Sequence, residues 1–151
     1  MFEADADEDD VSVSFPVEFV VRGTPVSLSN SGRSKNEWQS NVLNGARSVV
    51  PEHKWASSKP LSITIYDFPE ESAKGDVDNI VKWIQDALKP GIILDDSQIV
   101  RVVAQRFLPA DLTKLEKPGS EYPELVAKAL ALADPPFVFV RLNSNPLGEA
   151  Q

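Results

Sequence analysis

Apolar and polar residues alternate through "VSVSFPVEFVV", with Val13, Phe15, Val17, Phe19 and Val21 in one phase, the two-residue period of a half-buried strand. Pro16 predicts that this strand starts late or lies at a sheet edge. The period changes after the turn-rich "RGTPVSLSN". From Asn36 to Val49 the residues Trp38, Val42, Ala46 and Val49 recur at helical spacing, an amphipathic helix. "PLSITIYDF" returns to strand, with Leu61, Ile63 and Ile65 sharing a face. "DVDNIVKWIQDAL" places Val77, Val81, Ile84 and Leu88 on a second helical stripe that Pro90 and Gly91 end. "GIILDD" predicts a short strand, and "QIVRVVAQRFL" a longer one beyond an Asp-Asp-Ser turn. Residues 109–119 are polar and predict a loop. "YPELVAKALALA" predicts a last helix and "PFVFVRL" a last strand, with "NSNPLGEAQ" fraying behind it. No internal repeat is present. The order β-α-β-α-β-β-α-β favours an α+β class, a small mixed β-sheet packed with two to three helices.

Length limits the alternatives. A chain of 151 residues supports one sizeable core and not two. The expected division is an acidic, disordered tail at 1–12, one domain at 13–142 and a frayed end at 143–151. No apolar run approaches the roughly 18 residues of a membrane span. Without cysteine, and with "MFEADADEDD" at the N-terminus in place of a basic and apolar leader, a reducing cytoplasm is expected. A chain with no cysteine and one histidine, His53, builds neither a thiolate nor a multi-histidine metal site. Carboxylates remain for any metal chemistry.

The net charge of -8 argues against a nucleic-acid partner only until its distribution is read. Six of the 23 acids fall in residues 1–10 with no base, leaving 17 acids against 15 Lys+Arg and a body near -2. The acidic block is read as solubilising; the sharper reading makes it a decoy that competes with DNA for a basic surface.

Asp76 stands just before the second helix and Asp78 in its first turn, where free amides and the positive end of the helix dipole stabilise negative charge. Capping needs one carboxylate, and two are present, followed by Asn79. Lys82 shares the helical face of Asp78, and Asp86 continues it. A strand running back beside the helix N-terminus would bring Asp95 and Asp96 to the first pair. Converging carboxylates would suit a hard cation such as magnesium, which prefers oxygen ligands and often shares its shell with phosphate. An EF-hand is excluded, because Ile80 and Val81 occupy its fifth and sixth loop positions. Residue types alone leave two readings open, a metal site or helix caps plus a polar turn.

"GDVDNIVKWIQDAL" followed by "LDDSQIV" resembles the central signature of the RusA family of Holliday junction resolvases. That signature runs Asp-x-Asp-Asn, a lysine four residues after the second aspartate, Asp-Ala-Leu, then Asp-Asp-x-Gln-Val. The likeness is strongest over residues 74–103, extends loosely back to about residue 17 and lapses beyond about residue 108. It implies a two-fold homodimer of a magnesium-dependent, structure-selective endodeoxyribonuclease, with manganese as a substitute ion, acting on four-way DNA junctions in recombination and repair in a bacterial, phage or prophage setting. By the same resemblance Asp76, Asp78 and Asp96 match the metal-binding aspartates, Lys82 the catalytic lysine and Asp95 an auxiliary acid. Paired symmetric nicks leaving 5′-phosphate and 3′-hydroxyl ends are implied likewise. Asn79 either orients a carboxylate or stabilises the helix; Trp83 is read as a packed aromatic.

Bases near these acids are the expected DNA contacts: Lys74 before the site, Arg101 and Arg106 along the following strand, and Arg33, Lys35 and Arg47 around the first helix. Each is also readable singly as a solvated charge. Two features depart from the family. "SLSNSGRSKNEW" is less basic than the corresponding family loop, and the acidic tail would slow association with DNA. Two other functions remain in view, a catalytically inactive branched-DNA-binding protein and a magnesium-dependent nucleotide phosphohydrolase.

Overall fold

The computed structural model describes residues 12–23, 25, 32–70, 77–115, 124–144 and 146. It contains β1 (Val17–Arg22), α1 (Gly32–Arg47), β2 (Leu61–Phe68), α2 (Val77–Leu88), β3 (Ile99–Arg106), α3 (Pro109–Leu115), α4 (Glu124–Leu132) and β4 (Phe137–Asn143). The strands form one mixed sheet in the order β1-β4-β2-β3. β4 runs antiparallel to both β1 and β2, while β2 and β3 are parallel. The acidic tail expected at 1–12 lies, but for Ser12, outside the described residues. No described helix is long and apolar enough to cross a membrane.

Alternation along the strands gives each sheet face its own core. Leu61, Ile63 and Ile65 of β2 point with Val138, Val140 and Leu142 of β4 toward α1 and α2. Tyr66, Phe68, Phe137 and Phe139 point the other way, against Phe107 and the buried Val126 and Ala129 of α4. Burying a side chain of the Val, Leu, Ile or Phe type stabilises by about 1.5–3 kcal/mol, so a one-residue register slip would expose an entire layer. On the first face α1 packs against α2 through Trp38 and Trp83, edge to face with centroids 6.5 Å apart. The Gln39 side-chain amide also donates to the Trp83 carbonyl at 3.0 Å. Trp83 is thus a packed core aromatic.

Several expectations change in position or kind. β1 starts at Val17, after Pro16, and forms a sheet edge, as Pro16 predicts; the changes are elsewhere. Val49 is 51% exposed, and Val50 is buried in its place, because the turn closing α1 bonds the Val50 amide to the Ala46 carbonyl at 2.9 Å and directs Val50 inward. α2 buries Ile80 and Trp83 together with Ile84 and Leu88, a stripe rotated from the predicted one because the helix covers both the sheet and α1. "GIILDD" is not a strand. Ile92 and Ile93 are buried in the turn that closes α2, and Ile93 forms only an isolated bridge with Ser57. The loop expected at 109–119 contains α3, whose Leu112 and Leu115 pack on the second core. Pro109 suits the first helical position, and Asp111 Oδ2 accepts the Leu108 amide at 2.9 Å. The order is therefore β-α-β-α-β-α-α-β.

Candidate active site

α2 is the crossover between two adjacent parallel strands, so it runs antiparallel to both. Its first turn lies by the end of β3, and its last turn by the start of β3. Asp78, in that first turn, is exposed, and so is Lys82 one turn on. Together with Val77, Val81 and Gln85 they line one wall of a groove of about 480 Å³ whose other wall is Val102 and Ala104 of β3. Val102 is 48% exposed and its neighbour in phase, Val100, 59%. The groove thus opens along the free edge of the sheet. Asp76 and Lys74 lie outside the described residues.

The second acidic pair sits at the other end of the helix. Asp95 precedes a single 3-10 turn, Asp96–Gln98, that leads into β3. Gln98 pins this turn: its Oε1 accepts the amides of Leu94 and Asp95 at 2.7 and 3.0 Å, and its Nε2 donates to the carbonyls of Ser57 and Lys59 at 2.6 and 3.0 Å. Sequence reasoning gave Gln98 no role, although Asp-x-x-Gln is a recognisable capping spacing. Asp95 accepts a hydrogen bond from the Ser97 hydroxyl at 2.5 Å, which with backbone donors holds its carboxyl below the usual range. Lys89, also missed, places its ammonium 3.1 Å from Asp96 Oδ1 and 3.4 Å from Asp86 Oδ1. The hydrogen bond to Asp96 raises the Lys89 pKa most, with a smaller contribution from Asp86.

These contacts correct one expectation. Asp96 shares Lys89 with Asp86, and Asp86 lies eight residues along α2 from Asp78, about 12 Å at 1.5 Å per residue. β3 does run back along α2, but Asp95 and Asp96 stand before its start, beside the last turn of the helix, because the connector from Gly91 to Asp95 is a compact turn there. One chain does not bring Asp78 and Asp96 to one cation. Among the described residues no group of three or more His, Cys, Asp or Glu gathers around a point.

The expected DNA-contacting bases are distributed over both sheet faces. Lys35 reaches over Trp83, with Nζ 6.0 Å from the ring centroid. Arg47 folds over Gly91, where an added Cβ would meet its Nη2 at 2.5 Å, and its Nη1 is buried. Arg106 donates from Nε to Asp67 Oδ2 at 2.9 Å with both side chains largely covered. Arg101 is exposed on the face of β3 turned away from α2. The Arg33 side chain lies outside the described residues. Asp67 is the buried acid that the sequence did not single out. It is 2% exposed, its Oδ1 lacks a partner, and burial pushes its carboxyl up, against the Arg106 hydrogen bond and charge.

A mixed α+β sheet whose crossover helix presents an aspartate and a lysine in an open groove, with a second acidic pair at the head of the next strand, defines a small domain with acid-and-lysine chemistry at a sheet edge. The family model for endodeoxyribonuclease RusA matches residues 30–119, more than half of the chain, from just before α1 through α3. The chain belongs to this family of Holliday junction-resolving endodeoxyribonucleases. The match continues past residue 108, where the motif likeness lapses. No curated protein matches the chain.

Proposed function

We propose that this protein is a divalent-metal-dependent endodeoxyribonuclease that resolves four-way DNA junctions by paired symmetric nicks, acting as a homodimer in the cytoplasm of a bacterial or phage-infected cell. The observation that carries the reading is the groove in which exposed Asp78 and Lys82 share one face of α2, inside the matched region. The reading assigns Asp76, Asp78 and Asp96 as metal-binding acids, Asp95 as an auxiliary acid and Lys82 as the catalytic lysine. It treats 13–142 as one nuclease domain, 1–12 as an acidic tail and 143–151 as a frayed end.

The donor set fits a hard cation in chemistry, since every candidate ligand is a carboxylate oxygen. It fits in space when two copies share it, because Asp78 and Asp96 sit at opposite ends of α2. A two-fold axis beside the α2–β3 edge would set Asp78 of one copy against Asp96 of its partner, and would do so twice. The exposed Val100 and Val102 on that edge give such a pairing apolar surface to cover. Two sites follow, matching two symmetric cuts. Magnesium, or manganese in its place, supplies Lewis-acid stabilisation of the charge that builds on the scissile phosphate when bound there.

The chain's own groups do the rest. Asp76, Asp78 and Asp96 would hold the cation, whose charge would offset the repulsion between these carboxylates and the DNA backbone. Lys82, exposed one turn from Asp78, meets the phosphate and neutralises developing charge. Its role in this reading is electrostatic. Lys35 and Lys74, with Arg33, extend the basic surface toward flanking phosphates, and binding weakens steeply with salt.

The test is cleavage of labelled four-way junction, duplex, flap and single strand, with and without magnesium, by wild type and Asp78→Asn. Symmetric nicks on the junction, lost in the folded variant, are expected. Junction binding without any metal-dependent product would instead make this a branched-DNA-binding protein, and turnover of free nucleotides would make it a phosphohydrolase.

A further inference from the structure

The face of the sheet turned away from α2 carries a second concentration of polar groups that the proposed nuclease chemistry does not use. Ser62, Thr64 and Tyr66 alternate along the middle strand β2. Across the ladder Ser62 is the register partner of Arg101 on β3, and Thr64 that of Arg141 on β4. Two guanidinium groups therefore flank a row of hydroxyls. Leu125 of α4 walls the space, a pocket of about 260 Å³.

From these contacts we infer that the pocket binds a phosphate group, with Arg101 and Arg141 as its cationic jaws and the hydroxyls of Ser62, Thr64 and Tyr66 as its floor. Arginine presents a planar fork of donors that matches phosphate oxygens, and hydroxyls complete the shell. Arg141 is oriented for this from behind, since Glu18 accepts its Nη1 at 2.7 Å and is itself held by Lys128. Arg101 has no ion-pair partner among the described residues and is exposed. Tyr66 reports the local field: burial raises its hydroxyl pKa, and the charge of Arg141 acts against that. Among the described residues, the charged side chains that line the pocket are these two arginines, in a chain whose net charge is -8. The phosphate comes either from the DNA backbone wrapping past the sheet edge or from free nucleotide or inorganic phosphate. The DNA source rests on the nuclease reading above; the pocket itself does not.

The experiment has two arms on the full-length chain. In the first, amide NMR follows titration with inorganic phosphate for wild type, Arg101→Gln and Thr64→Val. Saturable shifts at residues 62–66 and 101 are expected, with affinity lowered roughly ten-fold by Arg101→Gln, in line with loss of a charge-assisted hydrogen bond, and less by Thr64→Val. In the second, binding of a four-way junction to Asp78→Asn protein is measured against salt with and without Arg101→Gln. A slope reduced by about one, together with the phosphate shifts, assigns the pocket to DNA. Phosphate shifts with an unchanged slope assign it to free phosphate or nucleotide. Absence of saturable shifts at 62–66 overturns the pocket, even if the slope changes, because Arg101 is then an ordinary backbone contact. Wild-type junction cleavage run alongside reports the nuclease reading separately.

Discussion

The Lys89 ammonium lies 3.1 Å from Asp96 Oδ1, one residue beyond the end of the helix whose first turn carries Asp78. That contact marks the second acidic pair as lying at the far end of α2. It follows from topology: a helix that crosses between adjacent parallel strands delivers its two ends to opposite ends of the sheet, and the short connector after Leu88 cannot return the chain along its length.

A shared site has a distinctive genetic signature. Asp78→Asn and Asp96→Asn proteins are each expected to be inactive. Mixed after subunit exchange, they form heterodimers in which one site carries both substitutions and the other none, so single-strand nicking of the junction returns. The gel assay that reads this would show no recovery if each site were built from one chain.

If Asp96 holds a cation as proposed, Lys89 competes with it. Lys89→Met is expected to leave thermal melting unchanged, because the pair is exposed and such pairs contribute little. It should lower the magnesium concentration for half-maximal cleavage by a few fold. A magnesium titration of cleavage rate checks this, with circular dichroism melting as the control.

Asp67 and Arg106 form the buried counterpart. Removing the carboxylate in Asp67→Ala takes the Nε partner from a largely covered arginine, with an expected loss of about 2–4 kcal/mol in urea unfolding near neutral pH. The pH dependence has a definite sign. Burial raises the Asp67 pKa from 3.8, so the folded chain binds that proton more tightly than the unfolded one. The resulting contribution is fully present below 3.8 and lost as pH rises through the folded-state value. Asp67→Asn lacks it, so wild type should lose stability relative to this variant as pH rises through the acid range, measured as urea midpoints.

Core packing sets two further stability values. Trp83→Ala empties the contact between α1 and α2 and is expected to cost about 3–5 kcal/mol. Gly45→Ala gains about 1 kcal/mol of helix propensity, yet its Cβ would lie 2.9 Å from Phe19 Cδ2 and 3.2 Å from the Val20 carbonyl. A net loss of about 1–2 kcal/mol is expected from overpacking. Denaturant unfolding followed by far-ultraviolet dichroism measures both.

Much of this molecule is legible in its pattern of residues. Among the described residues, the four strands of the sheet and three of the four helices follow from apolar runs at strand or helical spacing, with β2 and β4 buried on both faces. Asp78 and Asp96 stood out because like charges at close spacing need a physical reason, and Lys82 because it shares the helical face of Asp78. The turn at "GIILDD" was not legible, because a short apolar run buries equally well as strand or as turn. Neither was α3, whose polar sequence becomes helical only by laying Leu112 and Leu115 on a core assembled from β2, β4 and α4.

What only the tertiary structure decided is the grouping of charges. Strand pairing separated Asp96 from Asp78, buried Asp67 against Arg106 and sent Arg101 to the face opposite α2. Sequence spacing gives the side-chain phase within one element, whereas the distance between charges on different elements depends on sheet order and strand direction. Those are set by how two apolar faces find cover on either side of one sheet.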